Sequence, residues 1–414
     1  MAGKVNLIRD ARVFFTSNVD EYGKIQDGGE GKKFTDDNTF EIQVLDGLSL
    51  TQNTGTETVS ISEAGQTPVR GSRTFNTSLE ALDFSFSTYM RPSRVGTAVT
   101  AEEACLWNAF TSDKALGTNG TGNLEDAGWE DGTAGDGAGE YAKVDWSSSD
   151  KNQLQRFGII LSMKSTTILI HNCALDSVTL DFAIDGIATL QWAGKGTEFE
   201  QFGAITINAT TSTSDTSQKF YGGFLGTGAG ATAAAADNEF KRKLTQGVYL
   251  VNRLSAATVK YPATNGTDYI IPITAGNLTM SNNLTYLTPA TVGVINKPIT
   301  YFTGARTFSG SLTAYLRKTT GTNGTDTGAL FNKVLETGLS SDTNQANLTI
   351  NVGGTNSTTE RVDILVPTAL LQIPSIATEQ VVTATFGFTP QGSEDIESTD
   401  ELEIRYFHKE APTT

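Results

Sequence analysis

Few residues of this chain could do chemistry, and their spacing argues against it. A nucleophile–imidazole–acid set needs a histidine, and the chain has two, His171 and His408. His171 sits inside the strand-like run ILIHNCAL, and His408 lies in a charged C-terminal segment. The stretch AGKGT at 193–197 has a Gly-Lys pair. It lacks the first glycine and the Ser or Thr directly after Lys195 that a phosphate-cradling loop requires. GTGAGA, starting at Gly226, follows no strand long enough to open a dinucleotide-binding turn and reads as linker. Glu125, Asp126, Glu130, Asp131 and Asp136 supply calcium-type oxygens, but at spacings of neither an EF-hand loop nor a nonapeptide repeat. They read as a solvated loop. Cys105 and Cys173 are the only cysteines, too few for a disulfide framework or a metal cluster, and are expected to be buried, reduced thiols. Trp107, Trp129, Trp146 and Trp192 are spread along the chain as packing residues are. No catalytic, cofactor-binding or metal-binding residue is predicted.

Composition narrows the function further. The chain of 414 residues carries 30 basic and 46 acidic side chains, net −16. The imbalance is concentrated at −13 in residues 1–200, against −3 in the remainder. A surface of that sign does not grip nucleic-acid phosphates. Abundant Thr, Ser, Gly and Asn with few helix formers predicts short strands and many turns. The segments TNGT at Asn119, Asn265 and Asn323 read as Asn-Gly turns. No apolar run reaches the roughly 18 residues of a spanning helix. The start MAGKVNLIRDARVFF leads directly into a strand and lacks the form of a signal peptide.

The elements that would carry any site are written twice. GSRTF at Gly71 returns as GARTF at Gly304, and SFSTYMR (Ser85–Arg91) as SLTAYLR (Ser311–Arg317). LSLTQN at Leu48 answers LTMSNN at Leu278, and LWNAF at Leu106 answers LFNKV at Leu330. ILIHNCAL at Ile168 answers ILVPTALL at Ile364, and IATLQWAGKG at Ile187 answers TATFGFTPQG at Thr383. Matches in unbroken order indicate a tandem duplication. The predicted division is a first domain over 1–205 with a Gly- and acid-rich excursion at 111–150, and a linker over 206–240. A second domain then covers 241–395, followed by an acidic C-terminal tail over 396–414. Apolar residues at even positions from Val178 to Trp192 predict one long strand, because a two-residue turn at Asp185-Gly186 would flip the parity. Ile376, Val382, Ala384, Phe386 and Phe388 keep the same parity. Short helices are predicted at AEEACLWNAF, with Thr100 as N-cap and Glu103 in a capping box, and at TGALFNKVLETG, stopped by Gly338.

Two long passages, ISEAGQTPVRGSRTFNTSL followed by DFSFSTYMRP, and IPITAGNLTMSNNLTYLTP from Ile271 to Pro289, resemble the tube domains of tail tube proteins of long-tailed bacteriophages. IDGIATLQWAGKG resembles the ending of such domains, and the large two-domain siphophage members are the best match. The resemblance implies a mainly β fold: two tandem β-sandwich or half-barrel domains, each with a short α-helix, whose strands complete a closed inner β-barrel in the oligomer. It implies a structural virion protein, the major tail tube subunit, stacking as rings into the hollow tube through which phage DNA passes. Three duplicated chains would replace six single-domain subunits in a ring. With four inner strands per domain the barrel would be roughly 48 Å across, at about 4.8 Å between strands and about 40° of tilt.

The implied partners are further copies of the chain, the tape measure protein, the tail terminator and baseplate or tip proteins. DNA would be transiting cargo, with no membrane, no cofactor and no catalysis. The implied location is the virion tail, assembled in the host cytoplasm. The acidic balance would then make the channel negative. Family loops used for ring stacking place that role on Thr51–Arg70 and its counterpart between Ser281 and Thr303, with Asn53, Glu57, Glu63, Arg70, Asn283 and Tyr286 as candidate residues. The alternatives are a tail terminator or baseplate protein of the same fold, or a secreted surface-layer or adhesin β-protein.

Overall fold

A computed structural model gives the fold. It describes residues 11–26, 39–111, 129–133, 140–203 and 248–408, less stretches of one to eight residues within them. The expected linker and the acids Glu125, Asp126 and Asp136 lie outside the described residues.

The first half contributes β1 (Arg12–Thr16), β2 (Thr39–Ile42), β3 (Ser49–Thr51), β4 (Thr54–Ser62), β5 (Arg70–Leu79) and β6 (Leu82–Tyr89). After β7 (Pro92–Val95) and β8 (Ala98–Ala101) comes helix α1 (Ala104–Thr111). Then follow β9 (Trp129–Thr133), β10 (Glu140–Val144), β11 (Phe157–Ser162), β12 (Thr166–Ala183), β13 (Thr189–Gly196) and β14 (Glu198–Gly203). The second half opens with β15 (Ala256–Tyr261), β16 (Thr267–Ile271), β17 (Ile273–Ser281), β18 (Thr285–Leu287), β19 (Thr300–Phe302) and β20 (Thr307–Tyr315). Helix α2 (Thr327–Gly338) precedes β21 (Gln345–Val352), β22 (Arg361–Leu371), β23 (Ser375–Thr378), β24 (Val382–Pro390) and β25 (Glu403–Phe407).

Pairing repeats this order strand for strand. One outer sheet runs β2–β1–β11–β12–β14, and its counterpart runs β16–β15–β21–β22–β25. A second layer runs β3–β6–β13–β12 in the first copy and β17–β20–β24–β23 in the second. β12 is the hub. Its first half lies in the outer sheet and its second half in the inner one, with the change of sheet at Asn172, whose φ is 49°. Asn is the residue other than glycine that accepts this left-handed conformation most readily. A register shift between Leu175 and Ser177 completes the bend.

Three expectations are corrected. Val178–Trp192 is a hairpin: Val178 faces Trp192 and Asp181 faces Thr189. The turn is centred on Asp185, so an odd number of residues separates each pair and even positions stay on one face; only a two-residue turn would flip them. The second copy does the same at β23–β24, where Ile376 faces Ala384. Helix α1 begins at Ala104, with Thr100 still inside β8. The Glu103 carboxylate does not close a capping box, because it is drawn into the core by the Arg91 amide at 3.2 Å and the Tyr406 hydroxyl at 2.9 Å. The segment read as an acidic tail carries β25, the counterpart of β14, and its Leu402, Ile404 and Tyr406 are fully buried. Helix α2 spans the residues expected, and the Asp326 carboxylate caps it by accepting from the Ala329 amide at 2.8 Å.

Three tryptophans of the first copy, Trp107, Trp146 and Trp192, meet at α1. Trp107 meets Trp192 edge-on at 5.0 Å and Trp146 at 6.5 Å, while its indole N–H donates to Tyr406 at 2.8 Å. Helix α1 of the first copy and β25 of the second are therefore joined through Trp107, Tyr406 and Glu103. The excursion adds to this join, as β9–β10 extends the second copy's outer sheet through β10–β25 pairing.

Burial raises the Glu103 carboxyl from 4.5 to about 8. A folded-state value above the unfolded one means stability that is full below about pH 4.5 and declines as pH rises toward 8, at up to about tenfold in the folding constant per pH unit. Glu103→Gln should flatten that decline in denaturation measured from pH 5 to 8. An unchanged slope would show that Glu103 is not its source. Cys105 and Cys173 are free and buried, with both thiols pushed up by burial. Alkylation without reductant should modify neither thiol in the native protein and both after denaturation. One blocked pair would contradict this.

Candidate assembly site

The inner layer is a single sheet of eight strands, because β12 pairs with β17 across the two copies, from Ser177 opposite Ser281 to Ala183 opposite Ala275. One face is core. Phe84, Phe86, Leu180, Leu190, Trp192, Leu278, Leu312 and Phe386 all point into it. The other face is polar and carries cross-strand hydroxyl contacts, Thr179 to Thr279 at 3.1 Å and Thr313 to Thr385 at 3.0 Å. Ser311 donates to Asn277 at 2.8 Å on the same face. Among the described residues, the charges on it are Asp83, Asp181 and Lys195. Lys195 is tied to Asp83 at 2.6 Å, and Asp181 accepts from Gln191 at 3.2 Å. That leaves this face near neutral, although the chain is at −16.

The sheet has two unpaired ends. Among the described residues, β3 bonds only β6, and β23 bonds only β24. All four residues of β23 are exposed, as are Ser49 and Thr51 of β3. Open strand edges present rows of unmatched N–H and C=O groups, which natural proteins cover or pair.

Two hairpin arms leave the inner sheet at equivalent places and behave differently. The second copy's arm, β18–β19, folds onto the first copy. The Tyr301 hydroxyl donates to the Leu154 carbonyl at 2.6 Å, and Lys297 pairs with Glu198 at 2.7 Å. The Leu284 amide donates to Asp176 at 2.7 Å, and the Asn282 side chain to the Phe110 carbonyl at 3.0 Å. The first copy's arm, β4–β5, is tied to the second copy only near its base among the described residues, where Ser78 bridges Asn296 and the Leu79 amide donates to the Asn296 carbonyl at 2.8 Å. It pairs from Thr54–Leu79 to Ser62–Arg70, and eight consecutive residues of β5 are exposed. A two-stranded hairpin is marginal alone, and this one leaves Val59 and Phe75 in solvent.

The residues proposed for stacking divide between the arms. Glu57 and Arg70 lie exposed on β4–β5, and Asn53 is exposed at its base; Glu63 lies outside the described residues. Asn283 is an exposed turn residue with φ 50°, its side chain donating to the Ala305 carbonyl at 2.6 Å. Tyr286 is turned inward instead. Its hydroxyl lies 2.7 Å from the Asn172 carbonyl and 2.9 Å from that of Lys195, and burial holds its acidity far below that of a free phenol. The open sheet edges had no sequence signal apart from the repeat itself.

His171 and Lys195 are engaged within the fold. His171 Nδ1 accepts from the Ile25 amide at 3.2 Å, Nε2 stands 3.5 Å from Glu200, and burial lowers its basicity. Lys195 of AGKGT lies near the end of strand β13. Among the described residues, no three His, Cys, Asp or Glu side chains converge as a metal site, and no helix is long and apolar enough to cross a membrane.

No protein-family model matches the chain. A curated relative, the tail tube protein pb6 of Escherichia phage T5, is 28% identical over 414 residues, covering 99% of this chain and 77% of that protein. Among solved structures, a chain of the anti-feeding prophage baseplate matches at 13% identity and TM-score 0.26, over 33% of this chain and 89% of that one. So low a score carries no argument. Similarity to the tail tube protein of phage T5 runs the whole length of this chain, doubled sheet and arms included.

Proposed function

We propose that three chains close into one ring through their inner sheets, and that rings stack into the tube that conducts phage DNA. The observation that carries this is the β12–β17 junction. The chain already contains one domain-to-domain seam of an inner sheet and leaves both ends of that sheet open. Eight strands per chain would give twenty-four in a closed barrel, and closure is the one arrangement that removes sheet edges altogether. Helix α1 and the outer sheets pack on the apolar face, so in a closed barrel that bulk lies outside and the polar face lines the channel.

The channel wall then differs from the one expected from net charge. Asp83, Asp181 and Lys195 leave it at one negative charge per chain among the described residues. The chain's acidity is carried elsewhere. A polyanion passing this wall meets hydroxyls and amides already engaged with each other, and its phosphates find no cluster of free Lys or Arg to hold them. The work is structural, without catalysis, and the natural partners are the tape measure, terminator and baseplate proteins, met in the virion tail after assembly in the host cytoplasm.

The β4–β5 arm is the proposed stacking element. With nine and ten residues in its strands it reaches about 30 Å at roughly 3.3 Å per residue, enough to leave its own ring. Asn53, Glu57, Glu63 and Arg70 remain its candidate contacts, with Asn283 a further candidate at the base of the other arm; Tyr286 is already used within the chain.

Two measurements test these proposals. Averaged top views of assembled tubes should show threefold symmetry with six similar lobes, whereas true sixfold symmetry or twelve lobes would overturn the trimeric ring. Replacing 57–75 by a two-residue Asn-Gly turn should leave a folded chain, with a melting temperature within a few degrees of the parent, that no longer elongates into tubes. Tubes of normal length from that variant would remove the arm from stacking.

A further inference from the structure

We propose that β23 of one chain pairs antiparallel with β3 of a second copy of this chain, with Ser375 facing Thr51 and Ile376 facing Leu50. The inference rests on the ring reading above and adds the two strands that meet and their register.

The equivalences come from pairing. SFSTYMR and SLTAYLR set Phe86 equivalent to Leu312. Phe86 faces Trp192 and Leu312 faces Phe386, so Trp192 and Phe386 are equivalent, as are their neighbours Gln191 and Thr385. Gln191 faces Thr179 and Thr385 faces Ser375, which makes Thr179 and Ser375 equivalent. On the other flank, Leu50 faces Phe84 and Leu278 faces Gly310, so Leu50 matches Leu278 and Thr51 matches Thr279.

Inside the chain, Thr179 faces Thr279 with their hydroxyls 3.1 Å apart, and Leu180 faces Leu278. Transferred to the open ends, that register brings Ser375 against Thr51 and Ile376 against Leu50. The chemistry is kept at all four positions: two hydroxyls on the polar face and two aliphatic side chains on the core face. The difference is cover. Leu180 and Leu278 are both fully buried, while Ile376 is 47% exposed. Leu50 packs only partly against the core. An aliphatic side chain on the core side of a sheet, left in solvent at the sheet's end, is what a missing neighbour strand would leave. β23 and β3 have four and three residues, too short to pair alone, so the contact forms as the continuation of an existing sheet.

Disulfide trapping in assembled tubes tests the register. A chain carrying Ser375→Cys and Thr51→Cys should oxidise to covalent dimers and then trimers on a non-reducing gel, with the trimer as end product. Ser375→Cys combined with Ser49→Cys, two positions out of register, should cross-link about tenfold less. Thr179→Cys with Thr279→Cys should close within a chain and add no mass. The native thiols are buried and should stay silent. If the double variant does not assemble, the two single variants co-assembled with each other read the same pair. Preferential linking of the shifted pair would overturn the register. Tubes that form without either link would overturn the edge pairing and leave the ring reading standing. Absence of tubes from the parent chain would remove the ring reading itself.

Discussion

A β-sheet must dispose of its edges, and everything unusual in this chain follows from where it does so. Along β12 the backbone has neighbours on both sides, first β11 and β14, then β13 and β17. One strand thus ties the outer layer of the first copy to the inner layers of both. The chain is long enough to satisfy that seam internally, but its topology cannot satisfy the ends at β3 and β23. Covering them with a helix would have made a closed monomer. The two α-helices among the described residues are short and pack elsewhere, α1 in the core and α2 near β16.

The duplicated halves have diverged where packing allowed it. In the first copy Phe84 lies across Gly194, and at the equivalent place in the second copy Gly310 lies under Phe388. In each pair a side chain on the glycine would run into the phenyl ring. Large and small have changed strands while the summed volume stayed the same, the kind of exchange a close-packed core tolerates. The arms diverged further. The second copy's arm is seated on the first through Tyr286, Tyr301 and Asn282, while the first copy's arm is long and, among the described residues, held to the second only at its base through Asn296. Fusion of two once-equivalent domains makes such specialisation possible, since the two positions need no longer serve the same contacts.

Much of this was legible in the residues because repeats and alternation are local patterns. The order of matches, the limits of α2 and the apolar parity of the inner strands all lie within short windows. The errors of register and of the hairpin share one physical root. Strand patterning has a period of two, so a shift by two residues leaves every side chain on its face and is invisible in sequence. IATLQWAGKG aligns with TATFGFTPQG by eye, yet the pairing sets Trp192 against the position of Phe386 and not Phe388. The same blindness hid the hairpin at Asp185, whose odd loop preserves parity. β25 was missed for a different reason: acidic residues flank it, and its alternation, Leu402, Ile404, Tyr406, is brief. The burial of Glu103 depends on Tyr406, 303 residues away, and no local pattern could announce it.

The central claim is that one chain supplies two of the six domains of a ring. Mass per unit length of assembled tubes, measured by scanning transmission electron microscopy and multiplied by the axial ring spacing, tests it without any assumption about symmetry. Three chain masses of 44.1 kDa per ring is the result this account predicts. Six chain masses per ring would contradict it, because the seam between β12 and β17 would then not be the unit that the ring repeats.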